Sequence, residues 1–270
     1  MTQGAVIFAF NNEQIDYVSM ARWNAHNIRR HLNIPVCLIT DTQHQDLSGF
    51  DKVICVGPPS LGTPNKRYFS DYDTNVTWHN LNRMDAYSLS PWDQTLVLDA
   101  DYVVASDQLS LLFDSNHDFL AHRTGYDIAG QCDFVGLNNF GKHNMPMSWA
   151  TVMYFSKNST AKSVFDIMVM VKNNWKHYRN IYNITQGTYR NDFALSIALG
   201  IVDGHTLQHP SIPWGLASLM PQYGLQQLDK DSYRVEFDTA NNQTRWVQLD
   251  NQDFHAMGKK QLEKIIANPC

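Results

Sequence analysis

Asp99 and Asp101 stand one residue apart, between the apolar run Thr95-Leu96-Val97-Leu98 and a second one, Tyr102-Val103-Val104. Short apolar runs bounded by turn-prone residues read as buried strands of a mostly parallel sheet. Ligands of open α/β sheets bind outside the carboxyl ends of such strands, and both carboxylates fall at that edge. Two carboxylates at i and i+2 past a strand end are well placed for one hard divalent cation. Such an ion takes oxygen ligands and keeps positions open for phosphate oxygens. The plainer alternative is a strand-ending turn whose aspartates are only solvated, and an isolated Asp-x-Asp fits either.

The elements that would position the pair follow in chain order. Residues 5–10 predict a first buried strand, which Asn11-Asn12 ends with turn chemistry. Ile15, Val18, Ala21, Ala25, Ile28 and Leu32 then recur at helical spacing. Pro35 stops that helix, 36–41 predicts a second strand ending on the Asp41 carboxylate, and 50–56 contains a third. Strand, helix and strand with short connections form a βαβ unit, so the N-terminal half predicts an open, mainly parallel sheet. Residues 57–78 read as a loop punctuated by Pro58, Pro59, Gly62, Pro64 and Asn65, and they carry the adjacent cations Lys66 and Arg67. Residues 79–89 predict a short helix with Asn80, Arg83 and Tyr87 along one face.

Beyond the aspartates, 119–121 predicts a strand and 122–147 a long polar loop, of the length that is normally functional or mobile. Residues 148–155 predict another strand, and an amphipathic helix runs from Ser159 to Trp175. Arg190-Asn191-Asp192 opens a further helix with Asn191 as its cap. Asp192 then either complements the helix dipole or faces a ligand. Residues 233–237 and 245–249 alternate as two strands of an added antiparallel hairpin.

Composition sets the limits. A chain of 270 residues with 43% hydrophobic residues can bury a large core. A net charge of −5 excludes an overall basic nucleic-acid binder, although a cleft's field is set by its own residues. No apolar stretch approaches a membrane span, and the N-terminus shows no basic region or cleavage site. Cys37, Cys55, Cys132 and Cys270 form no Cys-x-x-Cys pair and read as reduced thiols of a cytoplasmic protein.

The stretch TLVLDADYVV, with NLNRMDAYSLSPWDQ before it, resembles the Asp-x-Asp region of GT-A glycosyltransferases, especially family eight and its phage-encoded relatives. The resemblance covers most of the chain, with few specific positions. It implies a single α/β domain over 1–270: an open, mainly parallel sheet flanked by helices, with a small added antiparallel hairpin region. The part to about residue 110 would bind nucleotide and the part from about 111 would shape the acceptor side. The implied reaction moves a sugar from a nucleoside diphosphate sugar, UDP-linked in the first instance, to an acceptor hydroxyl, with Mn²⁺ or Mg²⁺. Mn²⁺ suits a mixed carboxylate–imidazole shell better than Ca²⁺ does.

The same resemblance distributes roles. Phe10, Asn11 and Asp41 match the places that hold base and ribose, and Arg83 matches a basic residue that touches the donor. Asp99, Asp101 and His255 would hold the metal, with Asp101 central to catalysis. Phe254-His255-Ala256-Met257-Gly258-Lys259-Lys260 resembles the H-x-x-G-x-x-K motif, whose lysine contacts the diphosphate. The lysines here come one and two residues after Gly258 rather than three, so Lys259 and Lys260 both stand as candidates. Asp192 corresponds to the acidic residue that faces the sugar, and it is equally placed to be an acceptor base in an inverting enzyme. Family eight favours retention. Trp149-Ala150-Thr151 departs from the family's small-residue pattern before the strand that faces the donor sugar, and the added hairpin becomes a candidate acceptor platform.

Phage-encoded relatives with the opening GAVIFAFNNEQIDYV raise DNA carrying a hydroxymethylated pyrimidine as one acceptor. Lys66, Arg67, Arg123, Lys142, Lys176 and Arg179 would then supply a local cationic surface. A saccharide or protein acceptor, a nucleotidyltransferase, and a catalytically silent nucleotide-sugar-binding module are the alternatives.

Overall fold

The computed structural model describes residues 1–41, 46–57, 66–68, 75–77, 83–134, 137–186 and 188–268, with backbone only at 66–68 and 75–77. The N-terminal half runs β1 (Gln3–Phe8), α1 (Tyr17–Leu32), β2 (Val36–Thr40) and β3 (Lys52–Cys55). The short β4 (Lys66–Tyr68) and β5 (Asn75–Thr77) pair antiparallel. A 3₁₀ turn at Arg83–Asp85 leads into α2 (Ala86–Leu89), then β6 (Gln94–Asp99) and β7 (Tyr102–Val103). Next come β8 (Phe119–His122), β9 (Gly125–Asp127), β10 (Asn139–Phe140), β11 (Met145–Pro146) and β12 (Trp149–Ser156). The C-terminal half holds α3 (Ser159–Asn173), α4 (Trp175–Ile181), α5 (Asn191–Val202) and β13 (Leu216–Leu219). It closes with β14 (Gly224–Asp229), β15 (Ser232–Asp238), β16 (Thr244–Asp250), β17 (Phe254–Ala256) and α6 (Lys259–Ala267).

The central sheet has the order β3-β2-β1-β6-β12-β8. β1 pairs parallel with β2 and β6, and β2 with β3, while β12 is antiparallel to both β6 and β8. β1, β2 and β6 are buried almost end to end, which is why they read as continuous apolar runs rather than alternations. The open, mainly parallel α/β sheet expected from the sequence is the sheet observed.

α1 starts where the Asp16 carboxylate accepts the Ser19 N–H at 2.9 Å, and it ends at Asn33, whose φ of 52° is left-handed. A second sheet, β7-β17-β13-β9, lies beyond the carboxyl edge of β6. A third, β14-β15-β16, is the added antiparallel unit, and it has three strands where the sequence suggests two.

Some expectations need correction. Residues 122–147 are not one long loop: β9, β10 and β11 lie within them. Strands of two or three residues are too short to show a period, and Gly125 sits in β9 where a Cβ would meet the Phe134 ring at 3.0 Å. Asn191 is the first residue of α5 rather than its cap, the cap position being Arg190. Of the helix expected over 79–89, Arg83–Leu89 is seen as the 3₁₀ turn and α2. Asn80 lies outside the described residues, as do Pro58, Pro59, Gly62, Pro64 and Asn65. Among the described residues, no helix is long and apolar enough to cross a membrane.

Candidate active site

β6 delivers Asp99 to the carboxyl edge of the central sheet, and a two-residue turn brings Asp101 to the start of β7. The last strand of the chain returns to this point. β17 pairs antiparallel with β7, setting His255 opposite Tyr102, and the Ala256 N–H donates to the Asp101 carbonyl at 2.9 Å. One ligand atom from each of Asp99, Asp101 and His255 then lies within 4.8 Å of the others. An octahedral ion at 2.0–2.1 Å from its ligands places neighbouring ligands about 3 Å apart and opposite ones about 4 Å apart. Two carboxylates and an imidazole at this spacing fit a divalent cation after a small contraction.

The surroundings keep Asp101 charged. Asp101 is buried at 5% exposure, which disfavours its ionised form, but Lys259 and His255 outweigh burial and hold it well below the usual carboxylate range. The Lys259 Nζ is 2.7 Å from Asp101 Oδ2, and His255 Nε2 is 3.4 Å from Asp101 Oδ1. Burial works against the Lys259 ammonium too, yet Asp101 more than offsets it, and its pKa is raised. Lys260 next to it is exposed.

Arg83 closes the other side. It is buried, forms an ion pair with Asp99 and donates to the Ala150 carbonyl. Burial pushes its pKa down to about 10 against the pull of Asp192 and Asp101, so it stays cationic at neutral pH. The Ala150 N–H donates to Asp192 Oδ1 at 2.9 Å, and the Arg190 guanidinium donates to Asp192 Oδ2 at 3.1 and 2.7 Å. One residue at the start of β12 thereby fastens both Arg83 and Asp192.

The remaining candidates lie along the same sheet edge. Phe10 and Asn11 follow β1, and Asp41 follows β2, whose ends are in register with that of β6. Phe10 is buried. Asn11 accepts the Val18 N–H at 2.9 Å and donates to Asp16 at 2.8 Å, so its amide organises the entry to α1. Gly258 occupies the cap position of α6 at an ordinary φ of −82°, and a Cβ there would meet Gln261 Oε1 at 2.6 Å. Lys66 and Arg67 fall in β4, where only the backbone is described.

Two residues of this neighbourhood escape the sequence reading. Tyr17, at the start of α1, has its pKa raised by burial, with Lys259, Asp101 and Glu263 all acting on it, which puts its hydroxyl in their field. Nothing in its spacing marks it out. Glu263 accepts the Asp16 N–H at 3.0 Å and ties α6 to α1. Its place four residues after Lys259 on one helix face was the available signal.

Solved glycosyltransferases overlay on part of this chain. Glycosyltransferase GlyE of Streptococcus pneumoniae does so at a TM-score of 0.43 and 17% identity, over 79% of this chain and 46% of that one. Galactosyltransferase LgtC, solved in complex with donor and acceptor sugar analogues, gives 0.45 and 13% over 73% and 70% of the two chains. Mouse xyloside xylosyltransferase 1 gives 0.47 and 13% over 76% and 83%. The chain thus spans 46% of the GlyE structure it matches. No family model and no curated protein matches it.

Proposed function

We propose that this chain is a metal-dependent glycosyltransferase of the GT-A type, moving a sugar from a nucleoside diphosphate sugar, UDP-linked in the first instance, to an acceptor hydroxyl. The observation that carries the reading is the meeting of Asp99, Asp101 and His255 at the sheet edge, with Lys259 on one side and Arg83 on the other. As the glycosidic bond breaks, negative charge grows on the diphosphate, and the cation that these three residues would hold, Mn²⁺ or Mg²⁺, offsets it. Lys259 adds a fixed positive charge at the same place. Arg83 is too deeply buried to reach outward, so its part is to orient Asp99 and brace β12. Phe10, Asn11 and Asp41 line the base and ribose end of the edge.

Asp192 has both oxygens engaged, by the Ala150 N–H and by Arg190. That favours a carboxylate held in place beside the donor sugar over one that removes the acceptor proton, and so supports retention of configuration. A DNA acceptor draws less from the described surface than the sequence suggests: Arg123 and Arg179 are half-buried and donate to backbone carbonyls of Leu207, His209, Ile184 and Thr185, which leaves Lys142 and Lys176 as the exposed cations of that set among the residues whose side chains are described. A saccharide or protein hydroxyl is the favoured acceptor.

A thermal-shift panel of UDP, GDP, CDP and their sugars, with and without Mn²⁺, tests the reading. A nucleotide at one hundred times its Kd adds about 2.7 kcal/mol of stability. The expected result is a Mn²⁺-dependent shift with one nucleotide family, lost in Asp101→Ala, together with slow hydrolysis of its sugar to the free diphosphate. Release of sugar 1-phosphate in place of the nucleoside diphosphate would indicate nucleotidyl transfer, and binding without turnover a silent module. Equal shifts without metal and in the variant would remove the metal role. Transfer to DNA bearing 5-hydroxymethylcytosine, but not to saccharides, would reverse the acceptor assignment.

A further inference from the structure

The outer face of the β14-β15-β16 sheet takes no part in the site above. Side chains alternate across it, and Tyr233, Val235 and Leu249 point into the core. The opposite face therefore carries Gly224 and Gln226 from β14, Ser232, Arg234, Glu236 and Asp238 from β15, and Thr244, Trp246, Gln248 and Asp250 from β16. The register sets Gly224 beside Glu236 and Glu236 beside Trp246, and Gln226 beside Arg234 and Arg234 beside Gln248. Trp246 is 57% exposed.

A single exposed apolar side chain is ordinary, so the setting has to decide. The Arg234 guanidinium lies 5.0 Å from the Trp246 ring centroid, and it is also ion-paired to Glu236 at 3.1 Å. The ring is thus held by a charged neighbour that is itself held. The Gln248 amide donates to Asp250 at 2.9 and 3.1 Å, and the Thr244 hydroxyl donates to Asp238 at 2.7 Å. Gly224, across Glu236 from the ring, adds no side chain to this face. The result is a fixed, flat aromatic surface in a rim of amides, hydroxyls and carboxylates.

We infer that this face is a second binding site, for a neutral oligosaccharide, with Trp246 as its stacking floor. Arg234 takes one π face of the ring, and the other, electronegative like any aromatic face, attracts the C–H groups that line one face of a pyranose. Amides at the rim donate to and accept from neighbouring sugar hydroxyls, and the carboxylates accept from them. A ring with only two side-chain torsions, already fixed by Arg234, loses little entropy on binding. Charge decides against other occupants. Glu236, Asp238 and Asp250 outnumber Arg234, so the face repels phosphate backbones and acidic glycans. Trp246 and Leu228, the large apolar side chains this sheet exposes among the described residues, are also far from the roughly 800 Å² per partner of a standard protein interface.

The test is calorimetric titration of the full chain with maltohexaose, cellohexaose, xylohexaose and chitohexaose. At least one is expected to bind, with affinity falling tenfold or more in Trp246→Ala and recovering in part in Trp246→Phe. Thermal stability and UDP-sugar hydrolysis are expected to stay unchanged in both variants, so a failure of the donor chemistry and a failure of this site are read separately. No binding by any of the four, or equal binding by Trp246→Ala, would overturn the inference. So would Trp246-dependent binding of single-stranded DNA, or a change of oligomeric state in Trp246→Ala.

Discussion

Lys259 and Lys260 are adjacent and chemically identical, yet Lys259 has its ammonium 2.7 Å from Asp101 while Lys260 is exposed. In Lys259→Ala the buried Asp101 loses its nearest cation, so stability is expected to fall without metal and to be regained with Mn²⁺. Donor affinity should fall with it. Lys260→Ala should change either by no more than about 0.5 kcal/mol, the usual range for an exposed site. Thermal shifts with and without Mn²⁺ and UDP check both, and equal behaviour of the two variants would void the assignment. The sequence could not choose between them, because the choice depends on the rotation of α6 about its axis. Asp99 and Asp101 were legible, since i and i+2 at a strand end is a local pattern. His255 entered through resemblance alone; its place beside Asp101 is made by pairing between distant strands, which no spacing reveals.

β17 is three residues long, and it sets the imidazole. Its anchor is Phe254, fully buried and packed edge-on against Tyr233 at 5.2 Å. Phe254→Ala is expected to cost about 3–5 kcal/mol in urea denaturation. It should also raise the Mn²⁺ concentration needed for half-maximal stabilisation, since His255 loses its support. Lost stability with an unchanged metal midpoint would show that β17 does not position the ligand. The elements that the sequence made legible are those with many residues in one environment: β1, β2, β6 and β12, buried on both faces, and α1 and α3, each with a long apolar stripe. β9, β10 and β11 were hidden because two or three residues carry no period. The start of α5 was misplaced by one residue, because Asn191 looks like a cap while the bonds that matter there run from Arg190 to Asp192.

The molecule as a whole should weaken in acid, and one residue accounts for a definable part of that. His122 ends β8, fully buried, with Nδ1 2.9 Å from the Trp214 carbonyl, to which it donates. Burial pushes its pKa down to about 4 from 6.5, and the bond to Trp214 only partly opposes this. The unfolded chain therefore binds the proton more readily between those values. The stabilising contribution is complete above pH 6.5 and is lost as pH falls through about 4. Its size is on the order of 3 kcal/mol. His122→Asn keeps a donor for Trp214 but does not titrate. Its stability is expected to fall less steeply than that of the parent from pH 7 to pH 4, and parallel curves would clear His122 of the effect.

The return of β17 to β7 also bears on the order in which the protein can be made. Ala105 and Asp253, bonded at 2.8 Å beside this junction, are 148 positions apart in the chain. Contacts between such distant segments form late, because the intervening loop must close first. A ribosome delivers both aspartates well before the histidine, and the early βαβ half can settle while the cation set is still incomplete. A chain stalled or clipped before residue 254 would keep that half and lack the imidazole, folded in part yet unable to assemble the full donor set.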